Sequence, residues 1–249
     1  MPGGRVPATG EVVQTRGVLA SVAATLYVNQ VASDGWLQAL DSDGTTRLAL
    51  CKYTRVKITK ITGGRTYFKV EDGSHAGKIL SLADANAGQY LGSKAPEGSL
   101  AKVTITYTTY TPGWISEARN GEALDQQMAS LELGTLKMQV TMNSVWNGTF
   151  YPLPAGTYTI LLPDAPHAGN MTRFYRRTEP SLKHDQVWFP IKFGDNSRYV
   201  HVGNLSDGCT TVLDLAQWDD LHEALISHRG PDGKSVGELT VKGKPGRAR

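Results

Sequence analysis

The chain has 249 residues, enough for one large domain or two smaller ones of roughly 100–200 residues each. Hydrophobic residues make up 40% and charged residues 20%, which argues against wholesale disorder, and no apolar run is long enough to predict an integral membrane segment. The net charge of +3 is spread evenly and excludes a strongly basic nucleic-acid-binding face, and two cysteines exclude a disulfide framework or a four-thiolate zinc site.

Short β-branched and aromatic runs separated by glycine and proline predict a mainly β fold. After a flexible N-terminus over 1–14, we expect a small N-terminal β domain over 15–118, whose role the sequence leaves open. Gly63-Gly64 predicts a tight turn between two of its strands, and Pro112-Gly113 is expected to end the last one. The predicted strands of this domain are 18–28, 36–40, 47–50, 53–61, 65–70 and 101–110.

The polar stretch 117–128 predicts a linker or short helix, and we place a domain boundary near residue 120. A second β domain with one main helix is predicted over 130–243, followed by a basic tail over 244–249. Its predicted strands are 135–142, 156–162, 171–176, 186–191, 197–202, 209–213 and 236–241.

One helix of the second domain is clear from its pattern. Asp214 is a candidate N-cap, and Gln217 completes a capping-box pattern three residues later. Trp218, Leu221 and Leu225 share one face at helical spacing. We therefore expect a helix that packs this apolar face against the sheet.

The stretch 198–212 carries the chemistry that the sequence suggests. Two β-branched runs flank a turn-forming segment, and a hairpin centred on Leu205 would place His201 directly opposite Cys209. Opposed side chains on an antiparallel pair have Cβ atoms about 4.5–5.5 Å apart, within reach of an imidazole and a thiol. The pattern favours a cysteine nucleophile beside its general base, because only the thiolate attacks and a neighbouring imidazole helps to form it.

Two residues next to Cys209 suit the same chemistry. Gly208 allows the main chain to approach a substrate carbonyl, and the amides of Gly208 and Cys209 are candidate oxyanion donors. Ser206 is a candidate to hydrogen-bond within the turn or to substrate. An inert Cys209 stays open as an alternative, since an isolated cysteine in a β-run is commonly a small buried apolar residue. Cys51 is interpreted as a core residue.

The segment Ser206-Asp207-Gly208-Cys209, with His201 upstream, resembles the catalytic motif of the L,D-transpeptidases, the YkuD-type cysteine enzymes of peptidoglycan. The stretch 151–160 is similar to a second element of that family, Thr-Pro-x-Gly-x-Tyr/Phe-x-Ile. The resemblance covers about residues 130–243. It implies a catalytic β domain in which Cys209 is the nucleophile and His201 the base. In papain-like cysteine peptidases the order of the two residues is reversed.

The chain departs from the family pattern around the cysteine. Asp207 stands where a histidine is usual, Thr210 and Thr211 replace Ile/Val-Arg, and the gap from His201 to Cys209 is short, as in a branch that includes secreted antibacterial effectors. The missing arginine makes other arginines candidates for binding the substrate carboxylate, foremost Arg198 and then Arg173, Arg176 and Arg177. The further substrate-binding candidates are Tyr175, His167, Asp207 and Thr210.

The resemblance implies two-step acyl transfer on peptidoglycan stem peptides. Cys209 attacks the carbonyl before a terminal D-alanine, and His201 accepts the thiol proton and then protonates the departing amine. An amine resolves the thioester in a transpeptidase and water resolves it in a carboxypeptidase, and both outcomes stay open. We expect no cofactor, no metal and no nucleic-acid partner. A location in the cell envelope, periplasmic or secreted, is expected although no convincing signal peptide is visible over 17–28.

Two alternatives to this function remain. The first is a non-catalytic cell-wall-binding or structural β protein in which Cys209 is inert. The second is a secreted antibacterial effector with the same chemistry. Fast labelling of Cys209 by iodoacetamide near neutral pH is expected of the enzyme and not of the inert protein.

Overall fold

The computed structural model describes residues 24–116 and 120–247, so most of the strand predicted over 18–28 lies outside the described residues. The fold is mainly β, as the sequence predicts, and its strands form two sheets. The strands of the first sheet are β1 (Thr25–Val28), β2 (Trp36–Asp41), β3 (Arg47–Cys51), β4 (Arg55–Thr62), β5 (Arg65–Val70), β6 (Ile79–Ala83) and β7 (Leu91–Gly92). They pair antiparallel in the order β3-β2-β6-β5-β4-β1-β7, and helix α1 (Asp84–Tyr90) connects β6 to β7.

The hairpin of β4 and β5 shows how the sequence builds this sheet. Alternate side chains such as Val56 and Phe68 are buried, while Lys57 between the buried positions of β4 is exposed. Gly63 and Gly64 connect the strands with φ of +59° and +72°. Both values lie in the left-handed region that a two-residue hairpin turn requires, so the predicted tight turn is confirmed.

The second sheet closes into a barrel. Its strands are β8 (Ala101–Ser116), β9 (Glu122–Leu133), β10 (Leu136–Asn143), β11 (Gly156–Leu161), β12 (Phe189–Ile191), β13 (Arg198–Val202), β14 (Thr210–Val212) and β15 (Ser235–Lys242). Around the barrel they follow the order β10-β14-β13-β12-β11-β15-β8-β9. Two pairs are parallel, β13 with β14 and β15 with β8, and the other pairs are antiparallel.

The prediction of a linker or short helix over 117–128 is wrong, because β9 occupies most of that stretch. Its polar side chains misled the prediction: Gln126 is fully buried, and its Oε1 accepts a hydrogen bond from Thr141 Oγ1 at 2.6 Å. Pro112-Gly113 likewise does not end β8. The register with β9 shifts between Thr111 and Trp114, so the strand bulges there and continues to Ser116.

The boundary predicted near residue 120 falls inside the barrel. The first sheet ends at Gly92, and β8 pairs with β9 and β15 rather than with any strand of the first sheet. Residues 101–116, assigned to the N-terminal domain from the sequence, therefore belong to the barrel. The alternation of β8 could not predict this, because a strand of either sheet would alternate in the same way.

Two predictions near the candidate site are also corrected. The strand expected over 171–176 is replaced by two short 3-10 helices, Gly169–Met171 and Arg173–Arg177. Helix α2 (Trp218–Ile226) forms with the predicted buried face, but Asp214 does not cap it. Its carboxylate instead accepts a hydrogen bond from the Gln139 main chain at 2.7 Å, which ties the start of the helical segment to β10.

The first sheet and the barrel share a core. Trp36, Cys51 and Tyr53 belong to the same buried hydrophobic cluster as the barrel interior, which confirms the prediction that Cys51 is a core residue. At the edge of this contact, Lys52 Nζ lies 2.8 Å from a carboxylate oxygen of Glu223 on α2. In the part of the chain that the structure describes, no helix has the length and apolar character needed to cross a membrane.

Candidate active site

The strands that carry His201 and Cys209 are parallel, so the predicted hairpin is wrong. Thr210 is the partner of Val200, and Thr211 is the partner of His201. The chain returns through the loop 203–209 and enters β14 between β13 and β10. His201 therefore has Thr211, not Cys209, directly beside it.

His201 lies on the face of β13 opposite to the barrel core, since Val200 and Val202 point into the core. Its imidazole is held at both nitrogens. Nδ1 lies 2.9 Å from the carbonyl oxygen of Val202, and Nε2 lies 3.0 Å from Thr211 Oγ1. A carbonyl oxygen only accepts, so Nδ1 carries the proton and the lone pair is on Nε2. This is the tautomer that a general base acting through Nε2 needs.

The imidazole of His201 is one end of a column of three stacked rings. Trp188 stacks on His201 with ring centroids 4.1 Å apart, and His167 stacks on the far face of Trp188 at 3.9 Å. Burial under these rings lowers the pKa of His201 to about 4. The side chain is consequently neutral near pH 7, and its lowered pKa makes it a weaker base than an ordinary histidine.

Cys209 immediately precedes β14, at the level of Tyr199 on the neighbouring strand. Burial raises the pKa of its thiol to about 11. A hydrogen bond from the Tyr199 main chain and the nearby charge of Arg198 both lower this pKa, and the charge of Asp207 raises it further. The thiol is therefore neutral near pH 7, and the surrounding groups include two that stabilise a thiolate.

Cys209 and His201 are diagonal neighbours across the parallel pair, offset by two positions along the strands. Strand spacing and rise place such residues about 8 Å apart, farther than the opposed positions of a hairpin. Among the described residues the two side chains share no hydrogen bond, because Thr211 occupies the free nitrogen of His201. Before a proton can pass between them, His201 Nε2 must lose its hydrogen bond with the Thr211 hydroxyl and form one with the Cys209 thiol.

The loop before Cys209 is fixed from within and from the segment after β10. The Ser206 hydroxyl donates to the Cys209 carbonyl at 2.8 Å, so Ser206 acts within the turn, one of the two roles predicted for it. The Ser206 main-chain amide donates a hydrogen bond to Ser144 Oγ at 2.8 Å. The Gly208 amide donates to Asn143 Oδ1 at 2.9 Å. Gly208 therefore does not offer a free amide as the predicted oxyanion donor, which leaves the amide of Cys209.

Gly208 is required for a different reason from the one predicted. Its φ is +73°, and a Cβ at this position would lie 2.7 Å from Phe150 Cβ and 2.8 Å from the Tyr151 carbonyl oxygen. Any side chain would push the loop away from the segment that packs against it. The glycine thus sets how closely the loop and the neighbouring Arg198 approach each other, since the same Cβ would lie 3.0 Å from Arg198 Nε.

Arg198 is the predicted carboxylate-binding arginine that lies near Cys209. It is 9% exposed, and its guanidinium lies over the rings of Phe193 and Phe150, with centroid distances of 4.6 and 5.2 Å. Nε and Nη1 have no hydrogen-bond partner within the described ranges. The alternation of β13 places Arg198 on the face of Val200 and Val202, opposite to His201, and its unpartnered nitrogens are shielded from solvent. Its charge nevertheless acts on the Cys209 thiol, and a substrate carboxylate reaches the guanidinium only if the covering segment opens.

The other predicted arginines are placed differently. Arg173 and Arg177 are exposed on the 3-10 segment, and Arg176 forms an ion pair with the fully buried Asp185. Asp185 also accepts from Thr172, so this pair fixes the segment that lies over the barrel. Among the described residues no contact links these three arginines to Cys209, and the role of Arg198 as the carboxylate ligand stays a prediction.

The remaining predicted substrate-binding residues divide into three groups. Thr210 is corrected: it is fully buried and donates to Met142 Sδ, so it has no surface to offer a substrate. Tyr175 is also buried, and its hydroxyl lies 2.8 Å from Asn204 Oδ1, which anchors the start of the loop. Asp207 and His167 keep partial exposure near the site, and the Asp207 carboxylate accepts from the Phe150 amide at 3.1 Å.

Sequence reasoning missed the residues that support the site from other elements. Asn143, the last residue of β10, and Ser144 after it bind the loop, and Thr211 binds His201. Thr211 was identifiable as the partner of His201 only with the parallel register. Asn143 and Ser144 lie far from the motif in sequence, and no pattern links them to it.

Comparison of the chain with models of protein families, with curated proteins and with solved structures finds no match. The resemblance to the L,D-transpeptidases thus depends on the residues of the motif alone. The geometry around the motif contains a thiol, a neutral imidazole whose Nε2 is hydrogen-bonded to Thr211, and a buried guanidinium on adjacent strands.

Proposed function

We propose that this protein is a cysteine acyltransferase of the L,D-transpeptidase type, which acts on peptidoglycan stem peptides through a thioester on Cys209. The observation that carries the proposal is the pairing of β13 with β14. It supports the proposal by setting Cys209 diagonally across from His201, which has the tautomer of a base, while the charge of Arg198 acts on the thiol. The motif resemblance supplies the substrate class, and a location in the cell envelope follows from that substrate.

Acylation begins from the neutral thiol and the neutral imidazole. His201 Nε2 takes the proton from Cys209 Sγ as the sulfur attacks the peptide carbonyl, so that a C–S bond forms and the carbonyl electron pair moves to oxygen. The amide of Cys209 is the candidate donor to this oxyanion. Arg198 binds the carboxylate of the terminal D-amino acid through its open Nε and Nη1 donors.

Acylation ends when the oxyanion collapses, the C–N bond breaks, and His201 gives the Nε2 proton to the leaving amine. In the second half-reaction an incoming amine or water attacks the thioester carbon and gives a proton to His201. The C–S bond then breaks, and His201 returns this proton to the sulfur, which regenerates the thiol. The fixed Nδ1 contact to the Val202 carbonyl keeps the imidazole oriented through these proton transfers.

Intact-protein mass spectrometry after incubation with a carbapenem tests the proposal, because a β-lactam carbonyl acylates a reactive site sulfur. We expect a mass gain of one opened carbapenem in the wild type and in Cys51→Ala, and none in Cys209→Ala. Cys51 is the matched control, since it is also buried and free. The enzyme proposal fails if the wild type gains no mass, or if the gain survives in Cys209→Ala.

The electrostatics of Cys209 favour a second candidate, a non-catalytic wall-binding or structural protein. A thiol with pKa raised to about 11 and 9% exposure is close to the state of an inert buried cysteine. This candidate predicts slow iodoacetamide labelling of Cys209 that accelerates in denaturant, whereas the enzyme predicts labelling of the folded protein.

A secreted antibacterial effector shares the acylation chemistry and differs by causing lysis when directed to a periplasm.

A further inference from the structure

A second arginine with unpartnered donors lies on a cavity whose lining includes no residue of the loop 203–209. The cavity has a volume of about 370 Å³ and lies between the first sheet and the turn that precedes β15. The first sheet contributes Tyr27, Arg55 and Asp72, and the turn contributes Arg229 and Lys234. Its volume is at the lower end of the range of about 300–1,000 Å³ found for small-molecule sites.

Arg229 is the most buried charged group on this cavity. It is 8% exposed, and its Nη2 donates to the Tyr53 carbonyl at 3.2 Å. Its Nε lies 3.7 Å from Asp72 Oδ2, which is an ion-pair distance and too long for a hydrogen bond. Nε and Nη1 have no hydrogen-bond partner among residues 24–116 and 120–247. Buried donors without partners are rare in folded proteins and indicate a missing acceptor.

Two of the three carboxylates on the cavity, Asp72 and Asp232, accept hydrogen bonds, and the third, Glu71, faces Arg55. Asp232 Oδ1 accepts from the Lys234 amide at 2.9 Å and from the Ser235 hydroxyl at 2.7 Å, and Asp72 Oδ1 accepts from the Arg55 amide at 2.8 Å. These bonds fix the carboxylates to the main chain of the protein.

The basic side chains are held less tightly. Arg55 Nε lies 3.6 Å from Glu71 Oε2, again too long for a hydrogen bond, and the Lys234 ammonium forms no ion pair within the described part of the chain. The cavity is lined by three cations and by three carboxylates, and the unpartnered hydrogen-bond donors Nε and Nη1 belong to Arg229. Unpartnered donors on a guanidinium are suited to binding an anion.

We propose that this junction cavity binds a small oxyanion, a carboxylate or phosphate group, between Arg229 and Lys234. The planar guanidinium supplies directional donors, and the ammonium supplies a second positive charge. The cavity is larger than either group alone, so the ligand class is a small acid or phosphate ester. Because the walls come from both the first sheet and the barrel, the bound anion also links the two.

Isothermal titration calorimetry and thermal melting test the site, with inorganic phosphate and citrate as separate probes at constant ionic strength set by chloride. We expect saturable binding of at least one probe by the wild type, with a rise in Tm. Lys234→Gln and Arg229→Gln are expected to weaken binding by about tenfold or more, the effect of losing a charge-assisted hydrogen bond. Lys137→Gln is the matched control, because Lys137 is exposed on β10 away from the cavity.

The two probes distinguish a phosphate site from a carboxylate site, and either result supports the proposal. If Arg229→Gln does not fold, Lys234→Gln and Arg55→Gln carry the test, since both side chains are on the rim. The proposal is overturned if neither probe binds saturably to the wild type, or if wild type and Lys234→Gln bind with equal affinity. The proposal is also overturned if chloride raises Tm as much as phosphate or citrate does at the same ionic strength.

Discussion

Two buried arginines, Arg198 beside Cys209 and Arg229 at the junction of the sheets, have the same open nitrogens in different surroundings. Arg198 is 9% exposed and Arg229 is 8% exposed, and Nε and Nη1 lack a described partner in both. Arg198 is covered by the faces of two phenylalanine rings. Arg229 is held by a carbonyl oxygen and by the carboxylate of Asp72.

The difference between them concerns what compensates the positive charge. Aromatic faces attract a cation without neutralising it, so the charge of Arg198 still acts on its neighbour Cys209. A carboxylate neutralises its partner, and each member of a buried pair then depends on the other. Substitution of Arg198 is therefore expected to change reactivity, and substitution of Arg229 to change stability.

The largest expected effect is loss of stability in Arg229→Met. Methionine fills similar space but leaves the Asp72 carboxylate, 7% exposed, without its cation. Breaking a buried ion pair on one side costs about 3–5 kcal/mol. Urea unfolding followed by circular dichroism measures the change. Arg55→Met, at an ion pair whose arginine side chain is 46% exposed, is the control and is expected to lose at most about 1 kcal/mol. Equal losses in the two variants would contradict the comparison.

Gly208→Ala tests how closely the Cys209 loop must pack against Arg198. A left-handed residue other than glycine costs about 1–3 kcal/mol, and the overlap with Phe150 and Tyr151 adds to this, so we expect a total loss of about 3 kcal/mol. Gly44→Ala has a similar φ of +75° with no atom within 4 Å of the added Cβ, and only the backbone part of the cost, about 1 kcal/mol, is expected there. A loss in Gly208→Ala no greater than in Gly44→Ala would show that the loop relaxes freely.

These two sites show what the sequence could and could not predict. The local alternation of Arg198 to Val202 predicted β13, and the glycine before Cys209 predicted a turn of the main chain. Neither pattern predicts whether the next strand runs parallel or antiparallel to β13. A hairpin was the simplest connection for two short runs, but β14 pairs with β10 on its other side, and this long-range contact makes it parallel to β13.

The junction site was less accessible to sequence reasoning. Arg229 follows helix α2, and its partners Tyr53 and Asp72 lie in loops of the first sheet. Charged residues separated by more than a hundred positions meet only through the packing of the two sheets. Periodicity predicts which face of a strand is buried, and it does not predict which other surface covers that face.

The pH dependence of stability is expected to have opposite signs in the two regions. Burial lowers the pKa of His201 to about 4, so between about pH 6.5 and 4 the unfolded chain binds more protons than the folded one. The contribution of His201 is thus present above pH 6.5 and falls by about 2–3 kcal/mol as the pH falls through this window. Burial raises the pKa of Asp72, and its contribution changes in the other direction, decreasing as the pH rises above the ordinary carboxyl value.

Urea unfolding at a series of pH values separates the two contributions. We expect His201→Gln to lose the steep rise of stability between pH 4 and 6.5, and Asp72→Asn to lose the opposing fall. A variant of His201 with the same pH profile as the wild type would mean that the imidazole is not desolvated as its contacts with Trp188 indicate.

The smallest expected effects come from the charges around Cys209, and they test the sign of each charge. The pKa of the thiol is lowered by Arg198 and raised by Asp207, so at pH 8 the thiolate fraction should fall in Arg198→Met and rise in Asp207→Asn. Changes of roughly threefold in the iodoacetamide rate, about half a pKa unit, are expected in opposite directions. The rate is measured on the Cys209 peptide in a Cys51→Ala background. Arg229→Met is the control. It should leave the rate of Cys209 labelling in the folded protein unchanged, because the charge of Arg229 acts on Cys51 and not on Cys209. If both substitutions near Cys209 move the rate in the same direction, loop opening and not charge controls the thiol, and Arg198 no longer differs from Arg229 in the way proposed.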